Sequence, residues 1–375
     1  MSKTLSYAED VRLHYDPENP AERFLAALPA SAKASTSERL PQSVPWPEAS
    51  KPTPRPLASA PAETDDLSRF AGYDAVVVTY TSAEAATLAA LFTPRYPVSS
   101  WYEYRHKIAN YIPIVTGKRA LFNSTDTRDA RYYHSLGLYF PCTIGSARVL
   151  LLKSGLHLDY DLEVLAPIIP MHKMLTELIH TVSPRLFITT GTGGGIGSDV
   201  KLGDVIIAGQ TVFDCNHLFA NETFAHTSYA TTAVSAKTLA LITPELVNVN
   251  AAKVSSAAPI PGRAAPKFWS GHTATIVTTD VFAFDTSSNK PFQLHGLGQA
   301  CDMGDAMVGQ VMQQFEQIKW YAIRNASDPR IPDPAVVTYA DADKEAGNIY
   351  RDYGAFTTAA SVIATWAIIT TTFNT

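Results

Sequence analysis

The chain reads as an α/β layered protein with a largely mixed or parallel central sheet, and three observations lead there. Short strand-like runs recur: the β-branched "DAVVVTYTS" from Asp74, then "RVLLLK" from Arg148, "RLFITTG" from Arg185, "DVIIAG" from Asp204, "HTATIVTTD" from His272 and "WYAIRNASD" from Trp320. Segments of helical spacing lie between them, which is the alternation that layered α/β folds require. And 375 residues, 46% hydrophobic and 17% charged, are enough for a large core and argue against wholesale disorder.

Taken in order, the first 70 residues form an extension. "AERFLAAL" is the clearest part of a short helix within Tyr7 to Leu28, and Pro29 to Glu63 is dominated by Pro, Ala and Ser. That composition predicts an extended or disordered strap, free to wrap the surface of a domain spanning residues 71–375. Asp74 onward is a buried strand ending in small polar residues. "AEAATLAALF", broken by Pro94, is a helix of strong helix formers. A second helix runs Val164–Val182, with its prolines in the first part. In "CDMGDAMVGQVMQQF", Met303, Met307, Val311, Met312 and Phe315 recur three and four apart, which predicts a third. Phe356–Phe373 is uncharged and about as long as a membrane span, yet it is rich in Thr and Ala. A helix packed on the face of the sheet is expected there.

Composition narrows the function classes. A formal net charge of −5 lacks the basic footprint of a nucleic-acid binder. Cys142, Cys215 and Cys301 lie far apart with no CxxC pair, so free thiols in a reducing, cytoplasmic setting are expected. The N-terminal residues show acids and prolines where a secretion signal needs an apolar run. The ten histidines form no HExxH or similar cluster, so neither metal nor cofactor is expected.

The glycines of "FITTGTGGGIGSDVKLGDVIIAG", from Phe187, pose the central question. Gly191, Gly193 and Gly195 invite a dinucleotide reading, but that fingerprint requires a helix after the third glycine. Here a turn and a strand follow, and no Gly-Lys-Ser/Thr makes a P-loop. A tight structural turn is the plain alternative. The order strand, small-residue segment, "KLGD" turn, strand resembles the nucleoside phosphorylase/nucleosidase superfamily, particularly the methylthioadenosine/S-adenosylhomocysteine nucleosidases. Three more stretches match in sequence order. "VVVTYTSAEAATLAALF" places Glu84 just beyond the first strand. "TIVTTDVFAF" places Phe282 as an aromatic cover. "ACDMGDAMVGQVMQQFEQIKWYAIRNASD" aligns Asp302, Met303, Arg324, Ser327 and Asp328 with the helix and the following "R-x-x-SD" strand.

The resemblance implies a three-layer phosphorylase-like fold, a central mixed sheet flanked by helices, and cleavage of a purine N-glycosidic bond. Asp328 would serve the leaving base at N7, work worth roughly 10²–10⁴-fold in rate. Glu84 would activate the attacking water. Thr192, Gly193 and Gly194 would lie near sugar or base, with Phe282 and Met303 as apolar walls and Asp302 and Ser327 beside them. Each acid also has a plainer reading: Glu84 opens a helix whose dipole favours it, and Asp328 precedes a proline in a turn.

Two points are specific to this chain. Phosphorolysis needs arginines to hold phosphate. Thr189 stands where related phosphorylases carry one, so water is the expected nucleophile, while Arg119, Arg128, Arg131 and Arg148 keep a phosphorylase open. Secondly, the nucleosidase helix begins Glu-Met-Glu, its second glutamate holding the ribose hydroxyls, and here the triplet is Asp302-Met303-Gly304. Three explanations follow: a shifted helix start lets Asp305 substitute, the substrate lacks the ordinary diol, or the chain is an inactive binding or storage relative. Persistence of Glu84 and Asp328 favours an active enzyme with an altered substrate. By resemblance it is a homo-oligomer acting on a small nucleoside, with no membrane partner. The aromatic segments "NHLFANETFAHTSYATT" and "WYEYRHK" are candidate interfaces.

Overall fold

A computed structural model describes residues 39–115, 135–158, 169–197, 199–257, 260–286, 290–329 and 338–374. Its first half comprises β1 (Pro52–Pro54), β2 (Ala75–Thr79), α1 (Ser82–Phe92), β3 (Tyr102–Tyr104), α2 (Ile108–Val115), β4 (Gly137–Ile144), β5 (Ala147–Ser154), α3 (Pro170–Val182) and β6 (Leu186–Gly195). There follow β7 (Val205–Ile207), β8 (Gln210–Asp214), β9 (Ser228–Ala230), α4 (Ala236–Ala240), α5 (Pro244–Ser255), β10 (Phe268–Trp269) and β11 (Thr275–Thr279). The chain closes with β12 (Ala300–Asp302), α6 (Asp305–Met312), β13 (Lys319–Pro329) and α7 (Tyr339–Phe373). The expected helix within Tyr7–Leu28 and the first part of the Val164–Val182 helix lie outside the described residues.

Strand alternation builds the layers. Side chains of successive strand residues point to opposite faces. Val76 and Val78 therefore join Leu150, Leu152 and Phe187 in one core, beneath α3 and α6. Ala75 and Val77 join Leu151 and Ile188 in the other, beneath α1, α5 and α7. The expected three-layer α/β arrangement, a mixed sheet between helices, is what the structure shows. The described strands form one mixed sheet, ordered β1-β4-β5-β2-β6-β12-β11-β8-β9, with β13 beside β6 and β7.

The hinge of this topology is β6. One of its edges carries β13 in parallel along its whole length. Its other edge changes neighbour: β2 pairs in parallel up to Thr189, then β12 pairs antiparallel at Gly194 and Gly195. Because β12 and its parallel neighbour β11 oppose β6, the carboxyl ends of both strand sets converge on the middle of β6. In open α/β sheets, ligands bind outside carboxyl strand ends where the order reverses.

Two sequence expectations are corrected here. The glycines are no loop between strands; Gly191 to Gly195 continue β6 itself. Their missing side chains let neighbouring atoms close on the strand: a Cβ on Gly193 would lie 3.1 Å from the Cys301 carbonyl oxygen and 3.3 Å from Arg324 Cβ. The third helix does not start at Cys301 either. Ala300–Asp302 is a strand held by β6 and β11, and the helix opens at Asp305 after Gly304.

The long apolar C-terminal segment is the buried part of α7, long and apolar enough to cross a membrane but with 78% of that window packed inside the protein. Several of its hydroxyls are satisfied within the helix: Thr358 Oγ1 donates to the Gly354 carbonyl at 2.7 Å, and Thr365 Oγ1 to the Ser361 carbonyl at 2.9 Å. Residues 39–54 of the extension lie against this layer. The Trp46 ring meets Trp366 at 5.1 Å, Trp366 Nε1 donates to the Ser50 carbonyl, and β1 adds an edge strand to β4. In "WYEYRHK", Trp101 and Tyr104 are buried, and Tyr102 stacks on Phe140. Those rings pack into the chain's own core.

Candidate active site

Glu84 is set by the chain on both sides of it. Thr81 caps α1 and accepts from the Glu84 amide, while the Glu84 carboxylate turns back to the amide of Thr81, a reciprocal capping box. Its Oε2 also accepts from Thr79 Oγ1 at 2.6 Å and the Tyr80 amide at 2.7 Å. Oε1 crosses to β6 and accepts from Thr192 N at 2.6 Å and Thr192 Oγ1 at 2.5 Å. Five donors thus meet a carboxylate that offers about four lone-pair sites. Burial alone would raise its pKa; the Arg324 charge and these hydrogen bonds overcome that and hold it below its ordinary 4.5.

Gly191 makes this crossing feasible. A Cβ there would fall 2.7 Å from Glu84 Oε2 and closer still to Oε1 and Cδ. Its φ of +152° is also one that L side chains rarely adopt. The Thr192 amide is free to hold Glu84 because Thr190 to Gly193 have neither β2 nor β12 beside them on that edge.

A second group of charges closes against the first. Arg324 donates through Nε to Asp305 Oδ2 at 2.7 Å and through Nη2 to Oδ1 at 2.6 Å. The same guanidinium lies 3.2 Å from Asp302 and 3.8 Å from Glu84, so one cation serves three buried carboxylates. Asp302 accepts from Thr278 Oγ1 at 2.6 Å and from the Asp305 amide at 2.9 Å, which fastens the start of α6 to β11 and β12. Burial first, then the neighbouring Asp305 charge, push Asp302 up to about 7 despite Arg324.

Asp328, the penultimate residue of β13, lies opposite Gly194, past a bulge that displaces Ser327. Bulges re-aim side chains near sites of this kind. Ser327 Oγ donates to Asp328 Oδ1 at 2.7 Å and lies 3.3 Å from the Gly193 carbonyl oxygen. Thr192 and Asp328 sit on neighbouring strands two register positions apart, about 8 Å between Cα atoms by ordinary strand spacing. Glu84 is only 1% exposed, whereas Thr192 is partly open, so a ligand meets the threonine first.

The remaining expected residues divide. Met303 is buried between β12 and α6, and the half-buried Phe282 packs on Phe284 at 5.2 Å while its carbonyl accepts from Tyr339 Oη. Asp305 has 0% exposure and both oxygens on Arg324, so it cannot stand in for a sugar-holding carboxylate. Arg148 lies at the opposite, amino end of β2, bonded to Gly72 O and Asp74. Arg119, Arg128 and Arg131 lie outside the described residues. Sequence reasoning passed over Thr79, Thr278 and Tyr80; threonines closing strands in "VTYTS" and "VTTD" are the trace it offered.

A mixed sheet whose strand ends converge on buried carboxylates defines the class of layered α/β folds with a topological switch point. Within it the chain belongs to the phosphorylase superfamily, which matches residues 117–356. No curated protein matches it significantly. Solved structures similar to it include the methylthioadenosine/S-adenosylhomocysteine nucleosidase of Neisseria meningitidis with methylthio-immucillin-A: 15% identity, 80% of this chain, 99% of the other, TM-score 0.45. The nucleosidase of Colwellia psychrerythraea with adenine has 14% identity, 80% and 95% coverage and a TM-score of 0.47. Futalosine hydrolase of Helicobacter pylori has 14% identity, 79% and 97% coverage and a TM-score of 0.45.

Proposed function

We propose that the chain hydrolyses the N-glycosidic bond of a purine nucleoside or modified nucleoside and releases the free base. The observation that supports this reading is that Thr192, bonded to Glu84, and Asp328, bonded to Ser327, lie two register positions apart on adjacent strands. Both oxygens of Glu84 are already taken by five donors, and the partly open Thr192 lies against Oε1, so the proton leaves through Thr192. Water donates to a lone pair of Thr192 Oγ1 as the hydroxyl proton passes to Glu84 Oε1. The resulting hydroxide bonds to C1′ while the C1′–N9 bond breaks, and Asp328 supplies a proton or hydrogen bond to N7 of the departing base.

Water is favoured over phosphate because the guanidinium at the site is committed. Arg324 is buried and held by two hydrogen bonds to Asp305, and Arg148 is far away. We place the reaction in the cytoplasm on its three free cysteines, and in a homo-oligomer on family resemblance. The test is release of free base from a nucleoside panel with and without inorganic phosphate. Asp328→Ala and Glu84→Gln should each abolish it. Unchanged activity in both variants refutes the mechanism, strict phosphate dependence makes the chain a phosphorylase, and bound ligand without turnover makes it a binding or storage relative.

A further inference from the structure

Gly304 leaves open what faces the sugar, and the surroundings of that glycine supply an answer. A Cβ on Gly304 would lie 3.3 Å from Met171 Cε, 3.6 Å from Tyr80 Cζ and 3.8 Å from Tyr80 Cε2. The space a longer side chain would enter is therefore already taken by the phenol end of Tyr80 and a methionine methyl. Tyr80 is only 4% exposed, and its Oη has no hydrogen-bond partner among the described residues. Buried hydroxyls are nearly always satisfied, so an orphan of this kind marks a place for a ligand or water.

Everything else about Tyr80 is fixed. Its ring lies over the Arg324 guanidinium at 5.3 Å and meets His157 edge-on at 5.5 Å. Its amide donates to Glu84, so the phenol springs from a residue that also holds the Glu84 carboxylate. Asp302, Asp305 and Glu84 have their oxygens engaged by Thr278, Arg324, Thr192 and backbone amides. None of these three carboxylates has an oxygen left over for a diol, and the polar atom beside Gly304 that has no partner among the described residues is a neutral hydroxyl.

We propose that Tyr80 and Gly304 together form a neutral sugar subsite, in which the Tyr80 hydroxyl bonds the sugar and a 2′,3′-diol is not required. This rests on the nucleoside reading above. A charged hydrogen bond to one hydroxyl gives a preference above about tenfold, and this subsite has none to give. The chain therefore accepts 2′-deoxynucleosides and ribonucleosides of the same base alike.

The experiment compares adenosine, 2′-deoxyadenosine and 3′-deoxyadenosine with the full chain, reading kcat/KM for base release and, where no base is released, Kd by calorimetry. Expected are values within about tenfold of one another for the unaltered protein. Tyr80→Phe, which keeps the ring and removes only Oη, should weaken all three about three- to tenfold. The double variant Tyr80→Ala/Gly304→Glu should swing preference toward adenosine by more than tenfold. A preference for adenosine above about 100-fold in the unaltered protein overturns the inference, as does Tyr80→Phe leaving every value unchanged. Diol-independent binding without base release supports the subsite and sinks the hydrolase reading; failure to bind any of the three sinks both.

Discussion

Replacing Gly191 by alanine tests the geometry on which the site depends. The new methyl carbon would stand 2.7 Å from Glu84 Oε2 and nearer to the rest of the carboxyl group, well inside van der Waals contact. Neither partner has a cheap escape. Gly191 lies within the paired strand β6, and the Glu84 carboxylate is held by donors from Thr79, Tyr80, Thr81 and Thr192. Moving the carboxylate away breaks at least its two bonds to Thr192. At about 1.5–3 kcal/mol for each charged hydrogen bond, the loss is about 3–6 kcal/mol. Chemical denaturation should show that loss, and base release should fall with it because Thr192 no longer has its acceptor. The decisive assay is a double-mutant cycle with Glu84→Ala. Removing the carboxylate removes the clash, so the second substitution should recover about 2 kcal/mol or more of coupling. A Gly191→Ala variant within about 0.5 kcal/mol of the parent, with additive effects in the cycle, would refute this account of the glycine.

Two further outcomes follow from the same contacts. Thr192→Val should lower kcat about 10²–10³-fold with little change in KM, and Thr192→Ser should keep most of the activity; equal losses in both would refute the proton path through the hydroxyl. Asp302 is raised to about 7 from an ordinary 3.8, so the folded state binds its proton more tightly than the unfolded chain. Its contribution is fully present below about pH 4 and is lost as pH rises through about 7. Glu84, shifted downward, acts in a separate window below its ordinary 4.5. The melting temperature of Asp302→Asn minus that of the parent should therefore rise between pH 4 and pH 8; a constant difference would show that Asp302 does not titrate there.

What the sequence made legible was what neighbouring residues decide. Val76, Val77 and Val78 alternate between two cores as a buried strand should, and Glu84 lies in the first turn of its helix as expected, though the Thr81 cap that aims it was not read. What escaped it were pairings between distant residues. Ala300–Asp302 looks like the opening of a helix until β6 and β11 claim it as a strand. The glycines look like a loop until β12 and β13 are laid on either side. Asp305 became a rival for the sugar only because its bond to Arg324, nineteen positions on, is invisible in one dimension. Tyr80 carries no motif at all; its meaning comes from the glycine at 304.

The change of neighbour along β6 has a wider consequence. Between Thr189 and Gly194 one rail of the ladder is missing a rung, and the amide at Thr192 is left facing empty sheet edge instead of another strand. A continuous sheet would have spent that donor on architecture. Here the interruption is useful: the fold leaves a hydrogen-bond donor for the Glu84 carboxylate by declining to finish its own ladder. Any lengthening of β2 or β12 by two residues would therefore give a better-knit sheet and take the Thr192 amide away from Glu84.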